Sequence, residues 1–261
     1  DMKGGLAIML QLASVLSEAK LAKEPTLIFY DKEEGPLADN GLKPLLAAQK
    51  DLHDLALGIC LEPTDGQLHL GCVGSLHVEV TVHGKAAHSA RPWQGTNAIT
   101  TAGDLLSRFH QWKPQPKEIH GLTFHNTVTV TTIRGGQSRN SVPADCNFNV
   151  NMRFVPGRTT EEAFEALKEF VGPRASLKLI DASGAADVVL DHPLVQELLR
   201  NEPLEIAAKQ AWTDVAQLQS VGVPGINFGP GAPRWAHQAG ERLERLRLQQ
   251  TYDVLERWLR D

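Results

Sequence analysis

Leu27-Ile-Phe-Tyr-Asp-Lys-Glu-Glu34 is an apolar run that stops abruptly in adjacent carboxylates. Four consecutive apolar residues with β-branched and aromatic members predict a buried strand of an α/β sheet, covered on both faces. The charges then fall where the strand ends, and open α/β sheets bind ligands just beyond the carboxyl ends of their strands. Glu33 and Glu34 are therefore candidates for chemistry. A second run, Leu55-Ala-Leu-Gly-Ile-Cys-Leu61, also ends in an acid, Glu62, followed by Pro63-Thr-Asp65. One such acid would only mark the start of a loop. Two of them, with Asp1 as a third, place several carboxylates on one rim, where they repel unless a positive charge lies between them. A divalent cation is the simplest solution.

The flanking chain supplies the rest of an α/β pattern. Residues 3 to 19 carry apolar positions at helical spacing, with Asp1 just ahead of the first turn; there a carboxylate serves either as N-cap or as a metal ligand at a strand-to-helix corner. Gly35, Pro36, Asn40 and Gly41 break the chain before a helix over 42 to 50. From Ser75 the texture changes to strict alternation, Leu76-His-Val-Glu-Val-Thr-Val82, which predicts a half-solvated antiparallel strand. A helix over 97 to 111, alternating strands over 122 to 133 and 144 to 154 around Gly135-Gly136, a helix over 159 to 171 and a strand over 177 to 180 complete a β-α-β-β-α-β order, the split βαβ sandwich. Residues 75 to 184 are thus expected to form an inserted α+β, ferredoxin-like domain, and residues 1 to 74 with 185 to 261 the α/β domain around it. That outer domain resumes with helices near 193 to 200 and after Thr213-Asp214, a strand over Val223 to Phe228, and a terminal helix over 245 to 259.

Composition excludes several classes. The 261 residues are 42% apolar and 22% charged with a net charge of −5, an ordinary globular balance whose dispersed basic residues offer no footprint for nucleic acid. No apolar run approaches the roughly 18 residues of a membrane span. Cys60, Cys72 and Cys146 lie within apolar or alternating runs without ligand-type spacing and are read as core hydrophobes, which fits a cytoplasmic protein. The chain opens on Asp1 directly before a helical pattern and is expected to be a piece of a longer protein. No G-x-S-x-G elbow, P-loop or G-x-G-x-x-G fingerprint occurs, which leaves metal-assisted chemistry. Of the histidines, His53, His110 and His192 read as surface residues, and His69 and His77 as members of alternating strands. His237 differs: it follows Gly229-Pro-Gly-Ala-Pro-Arg-Trp-Ala at the carboxyl end of a strand, where an imidazole joined to carboxylates suits zinc or manganese.

Asp1-Met-Lys-Gly-Gly, Glu33-Glu34, Glu62-Pro63, Gly84-Lys-Ala-Ala-His-Ser-Ala-Arg-Pro92 with Gly95-Thr-Asn-Ala-Ile99, Asn140-Ser-Val-Pro143 and His237 together resemble the co-catalytic metallopeptidases of the M20 family, in order and along nearly the whole chain. The resemblance implies a zinc-aminopeptidase-like catalytic domain with a mixed sheet flanked by helices, and an inserted dimerisation or lid domain. It implies two Zn2+ ions, for which Co2+ or Mn2+ can substitute, bridged by Asp1, with Glu62 on the first and Glu34 and His237 on the second. Glu33 would be the general base. His88 would reach across a homodimer to the developing oxyanion, with Asn140 beside it or on the substrate. Arg153, and less directly Arg139, would bind a substrate carboxylate. The family's His-x-Asp motif, which gives the first zinc its histidine, lies upstream of the bridging aspartate and hence of this chain.

Within the family, Ala87-His-Ser-Ala-Arg91 and Trp212-Thr-Asp214 followed by Ile226-Asn-Phe-Gly229 resemble most the members that remove the succinyl group from N-succinyl-LL-2,6-diaminopimelate. One departure bears on substrate: Gly71-Cys-Val-Gly74 stands where some such members carry two arginines. The expectation is a dizinc amidohydrolase of an N-acyl amino acid. Acetylornithine deacetylation, another aminoacylase activity, and a non-catalytic relative are the alternatives.

Overall fold

The computed structural model describes residues 2–16 and 21–261, so Asp1 and residues 17–20 lie outside the described residues. The chain divides into two compact units, one of Asp1–Cys72, Ile119–Thr123 and Ala186–Asp261, the other of Val73–Glu118 and Phe124–Ala185. In order, the elements begin with α1 (Lys3–Leu16), α2 (Leu42–Ala48), β1 (Gly58–Pro63) and β2 (Leu68–Leu70). Next come β3 (Gly74–His83), β4 (Ala87–His88), α3 (Ala98–Gln111), β5 (Gln115–Ile119), β6 (Leu122–Gly135), β7 (Ser141–Val142), β8 (Asp145–Phe154), α4 (Thr160–Val171) and β9 (Ala175–Ser183). The chain ends with α5 (Pro193–Asn201), β10 (Ile206–Ala208), α6 (Val215–Ser220), β11 (Gly225–Gly229) and α7 (Arg245–Arg260).

The second unit is built on a sheet of order β5-β6-β8-β3-β9. Its strands β3 and β8 pair antiparallel from Gly74 opposite Phe154 to His83 opposite Asp145. The alternation seen in the sequence sorts the faces. Leu76, Val78, Val80 and Val82 point one way with Phe148, Val150, Met152 and Phe154, and α3 and α4 cover them through Ala102, Leu105, Phe109, Ala163, Leu167 and Val171. Both helices start on chemistry legible in the chain. The side chain of Asn97 accepts from the Ile99 and Thr100 amides, and Thr159 with Glu162 forms a reciprocal capping box at α4. Read from β9 to β6, this is the ferredoxin-like order that the β-α-β-β-α-β pattern predicts.

The first unit holds a mixed sheet of order β1-β11-β2-β10. Its pairs are parallel for β1 with β11 and for β2 with β10, and antiparallel for β11 with β2. Every residue of β2 and β11 is buried. Leu42, Leu46 and Leu52 pack with Leu218 and Val223 into one core cluster, while α7 buries Val254, Leu255, Trp258 and Leu259. Among the described residues no helix is long and apolar enough to cross a membrane.

The stretch Leu27–Tyr30 departs from its expected form. It forms no regular element and belongs to no sheet of the described residues. Ile28 and Tyr30 pack against the Leu42–Val223 cluster, whereas Phe29 is 52% exposed. Without a ladder among the described residues, the segment is half-buried except at Phe29, instead of covered on both faces.

Candidate functional site

The acidic corner of the first unit is built on a buried carboxylate. Asp214, only 2% exposed, accepts the Tyr30 hydroxyl on Oδ2 at 2.6 Å and the Asn40 amide at 3.1 and 3.2 Å. The Gln217 amide also donates to it. Asn40 in turn accepts the Leu42 amide on its own Oδ1 at 2.9 Å. A buried anion satisfied this fully is stable where an unpaired one is not. The Tyr30 phenol is driven far above its usual pKa, first by burial and then by Cys60 and Asp214.

Glu33 and Glu34 lie on the loop that leaves Tyr30. Burial, then the charges of Glu62, Glu34 and Asp214, raise the Glu33 pKa to about 7, against the lowering effect of Lys209. Glu33 therefore shares one electrostatic neighbourhood with the acid at the end of β1. Glu34 meets His237, with Oε1 and Nε2 3.2 Å apart and both side chains more than half exposed.

His237 itself holds φ at 59°, a left-handed conformation rare for a residue with a side chain, and its amide donates to Glu241 at 2.9 Å. Its loop is tied to the end of β1. The Thr64 hydroxyl donates to the Gly229 carbonyl at 3.1 Å, the Asp65 amide donates to the Gly231 carbonyl at 2.7 Å, and the Asp65 carboxylate pairs with Arg234 and Arg247 at 3.4 Å each.

Glu62 has a different companion. Its Oε2 lies 3.3 Å from Nζ of Lys209, whose side chain is 6% exposed, and the same ammonium reaches the Pro63 carbonyl at 3.5 Å. The sequence reading assigned the positive charge on this rim to metal alone; a lysine of the chain also supplies it. Lys209 was missed although its signal resembles that of Glu62, a charge directly after the apolar run Ile206-Ala-Ala208. Tyr30 and Asn40 were missed too, since only their tertiary partner gives them a role.

Among the described residues no cluster of three or more His, Cys, Asp or Glu side chains forms a shell, and Asp1 lies outside them. What does converge is Glu34 with His237, an oxygen and a nitrogen donor of the kind zinc and its neighbours accept. That donor pair fits a divalent cation.

The second unit carries the remaining candidates. His88 is exposed on β4, opposite Ser141 of β7, and its Nδ1 accepts the Ala90 amide at 3.1 Å. The Asn140 carbonyl accepts the Ser89 amide at 2.9 Å, so His88 and Asn140 sit on adjoining strands of backbone. The Asn140 side chain accepts the Ser138 hydroxyl. Arg139, next to it, is exposed. Arg153 lies away from this pair in sequence, on the face of β8 opposite the helices, where its Nε donates to Asn151 at 3.1 Å.

Comparison with known proteins agrees with this architecture. The family profile of the peptidase dimerisation domain of M20 proteins matches residues 70–176. A putative succinyl-diaminopimelate desuccinylase DapE of Mycobacterium tuberculosis is 34% identical over 99% of this chain and 73% of its own length. The succinyl-diaminopimelate desuccinylase of Corynebacterium glutamicum is 33% identical over 93% of this chain and 67% of its own length, and an acetylornithine deacetylase of Myxococcus xanthus is 29% identical over 92% and 65%. Among solved structures, a tripeptidase of Staphylococcus aureus superposes with a TM-score of 0.76 at 20% identity, covering 100% of this chain and 70% of that one. A dinuclear metal binding peptidase of the M20 family from Bacillus subtilis does so at 0.62 and 15% identity, covering 98% and 69%. The structural likenesses show the fold; the sequence likenesses, sustained along nearly the entire chain, show that it belongs to the M20 family of peptidases.

Proposed function

We propose that this protein is a metal-dependent amide hydrolase that removes the succinyl group from N-succinyl-LL-2,6-diaminopimelate, releasing succinate and LL-diaminopimelate. The structural observation that supports it most is the meeting of Glu34 and His237 beside Glu33, in a chain similar along its length to two desuccinylases. Glu34, His237, Glu62 and Asp1 would hold two Zn2+ ions; Co2+ or Mn2+ would serve in their place. A cation held there supplies an acidified water and a polarised amide carbonyl.

The chain's own groups do the rest. Glu33 takes the proton of the attacking water and returns it to the leaving amine. Arg153 grips a substrate carboxylate as a two-pronged donor, its guanidinium oriented by Asn151, and Arg139, next to Asn140, is the weaker candidate for the same role. His88, with Asn140 alongside, hydrogen-bonds the oxyanion, acting from the partner copy of a homodimer formed through residues 75–184. That inserted part would be the dimerisation domain, and residues 1–74 with 185–261 the catalytic one. Cys60, Cys72 and Cys146 are free thiols, in keeping with a cytoplasmic enzyme.

The second reading is acetylornithine deacetylation, favoured by Gly71-Cys-Val-Gly74 at the position of two arginines and by the Myxococcus xanthus relative. Side-by-side turnover of N-succinyl-LL-2,6-diaminopimelate and acetylornithine separates the two, and a strong preference for acetylornithine would replace the first reading by the second. Glu33→Ala tests the mechanism under either: metal content is expected to stay near that of the parent while most turnover disappears, and full activity would remove Glu33 from its role.

A further inference from the structure

We propose that Asp214 fastens both ends of the loop carrying Glu33 and Glu34, so that Asp214, Tyr30 and Asn40 are positioning residues for that acidic corner. The catalytic half of this inference rests on the reading of Glu33 as the base. The loop starts after Tyr30, makes one 3-10 turn at Leu37–Asp39 and enters α2 after Asn40 and Gly41. Its first tether is the Tyr30 hydroxyl on Asp214 Oδ2 at 2.6 Å. Its second is the Asn40 amide, shared between both carboxylate oxygens. A single buried side chain therefore holds the entrance and the exit.

Backbone bonds alone do not fix the loop from outside. The Gly35 amide donates to Lys32 at 3.2 Å, the Asp39 amide to Pro36 at 2.8 Å and the Gly41 amide to Asp31 at 3.0 Å. All of these lie within the segment itself. The run before it, Leu27–Tyr30, joins no sheet of the described residues. Besides the exposed Glu34–His237 contact, the buried tie to the rest of the unit passes through Asp214, which sits at the foot of α6 with its carbonyl accepting from the Gln217 and Leu218 amides at 3.0 and 3.1 Å. That helix packs beside β1 and β11.

The chemistry explains why an aspartate stands there. A phenol hydroxyl and the two carboxamides of Asn40 and Gln217 all present donors, and only an acceptor-only group receives all of them. Asparagine has the same shape but turns an NH2 toward one donor. The acids of the corner are thereby anchored through charge-assisted bonds to a carboxylate that is itself buried.

Hydrogen exchange in Tyr30→Phe and Asp214→Asn tests this. Tyr30→Phe keeps the ring in its apolar cluster, so it stays informative even if Asp214→Asn fails to fold. The Gly41 and Leu42 amides are expected to exchange about tenfold faster than in the parent, while those of β8 keep their rates. With N-succinyl-LL-2,6-diaminopimelate as substrate, kcat is expected to fall about tenfold and KM to stay within about threefold, the mark of a misplaced catalytic group rather than lost binding. Unchanged exchange in Tyr30→Phe would overturn the tether, and faster exchange with unchanged kcat would overturn its positioning role. If Glu33→Ala retains turnover, the base assignment falls by itself, and the exchange result still decides the tether.

Discussion

Nζ of Lys209 lies 3.3 Å from Oε2 of Glu62, with the lysine side chain 6% exposed and the glutamate 25%. Removing the cation leaves a largely buried carboxylate beside the other acids of the rim. Lys209→Met is therefore expected to cost about 2 kcal/mol in urea unfolding, below the usual range for a broken buried pair because Glu62 retains some water. Lys209→Arg should recover most of it. A melting curve for Lys209→Met that overlays the parent would deny the lysine this part.

Acid should unfold the first unit partly through His69. The imidazole is buried on β2, and burial first, then the positive charge of Lys209, lower its pKa from 6.5 to about 4, with Asp65 opposing. Above pH 6.5 the ring is neutral whether folded or not, and it contributes no pH dependence. Below that, the unfolded chain takes up the proton first, so stability falls by about 1.4 kcal/mol per pH unit until the folded pKa is reached. Stability measured between pH 7 and pH 4 should flatten in His69→Gln. An unchanged slope in that variant would assign the acid sensitivity elsewhere.

Gly41 sits tightly against Asp31. A Cβ there would lie 2.5 Å from Oδ1 of Asp31, an exposed side chain that would have to turn away, and 3.0 and 3.1 Å from its backbone nitrogen and oxygen, which would have to give slightly. Gly41→Ala is expected to destabilise by about 1–3 kcal/mol through this overpacking, read as a lower urea midpoint with the slope preserved. Wild-type stability in Gly41→Ala would mean that the corner yields without strain.

Substrate recognition should separate from turnover at Arg153. Arg153→Lys keeps the charge but not the planar fork, so KM for the succinyl substrate should rise about tenfold while kcat changes little. A KM equal to that of the parent would exclude Arg153 from the carboxylate site.

The second unit was the most legible part of the chain. Its strands alternate cleanly, and Asn97 and the Thr159–Glu162 pair announce their helices. Part of the motif around His88 proved to be packing: a Cβ on Gly95 would stand 2.5 Å from the Lys85 carbonyl. The strands β2 and β10 were not legible, because three residues carry no period, and β5, Gln-Pro-Lys-Glu-Ile, has the composition of a loop. For Leu27–Tyr30 the apolar run predicted a buried strand, whereas the described residues form no strand there and leave Phe29 half exposed.

At the site, position relative to strand ends singled out Glu33, Glu34 and His237, and the structure brings Glu34 and His237 together. Repulsion among the acids was also foreseen, but not that Lys209 shares in relieving it. The role of Asp214 depends on donors far away in sequence, Tyr30 and Asn40, and no local pattern encodes that convergence.

The run that precedes the acidic corner divides its side chains between core and water. Among the described residues Leu27–Tyr30 lies outside any sheet, with Ile28 and Tyr30 packed on the Leu42–Val223 cluster and the Phe29 ring half in water. Position 29 is thus a place where the surface of the first unit can be made more polar while the neighbours that hold the cluster stay as they are.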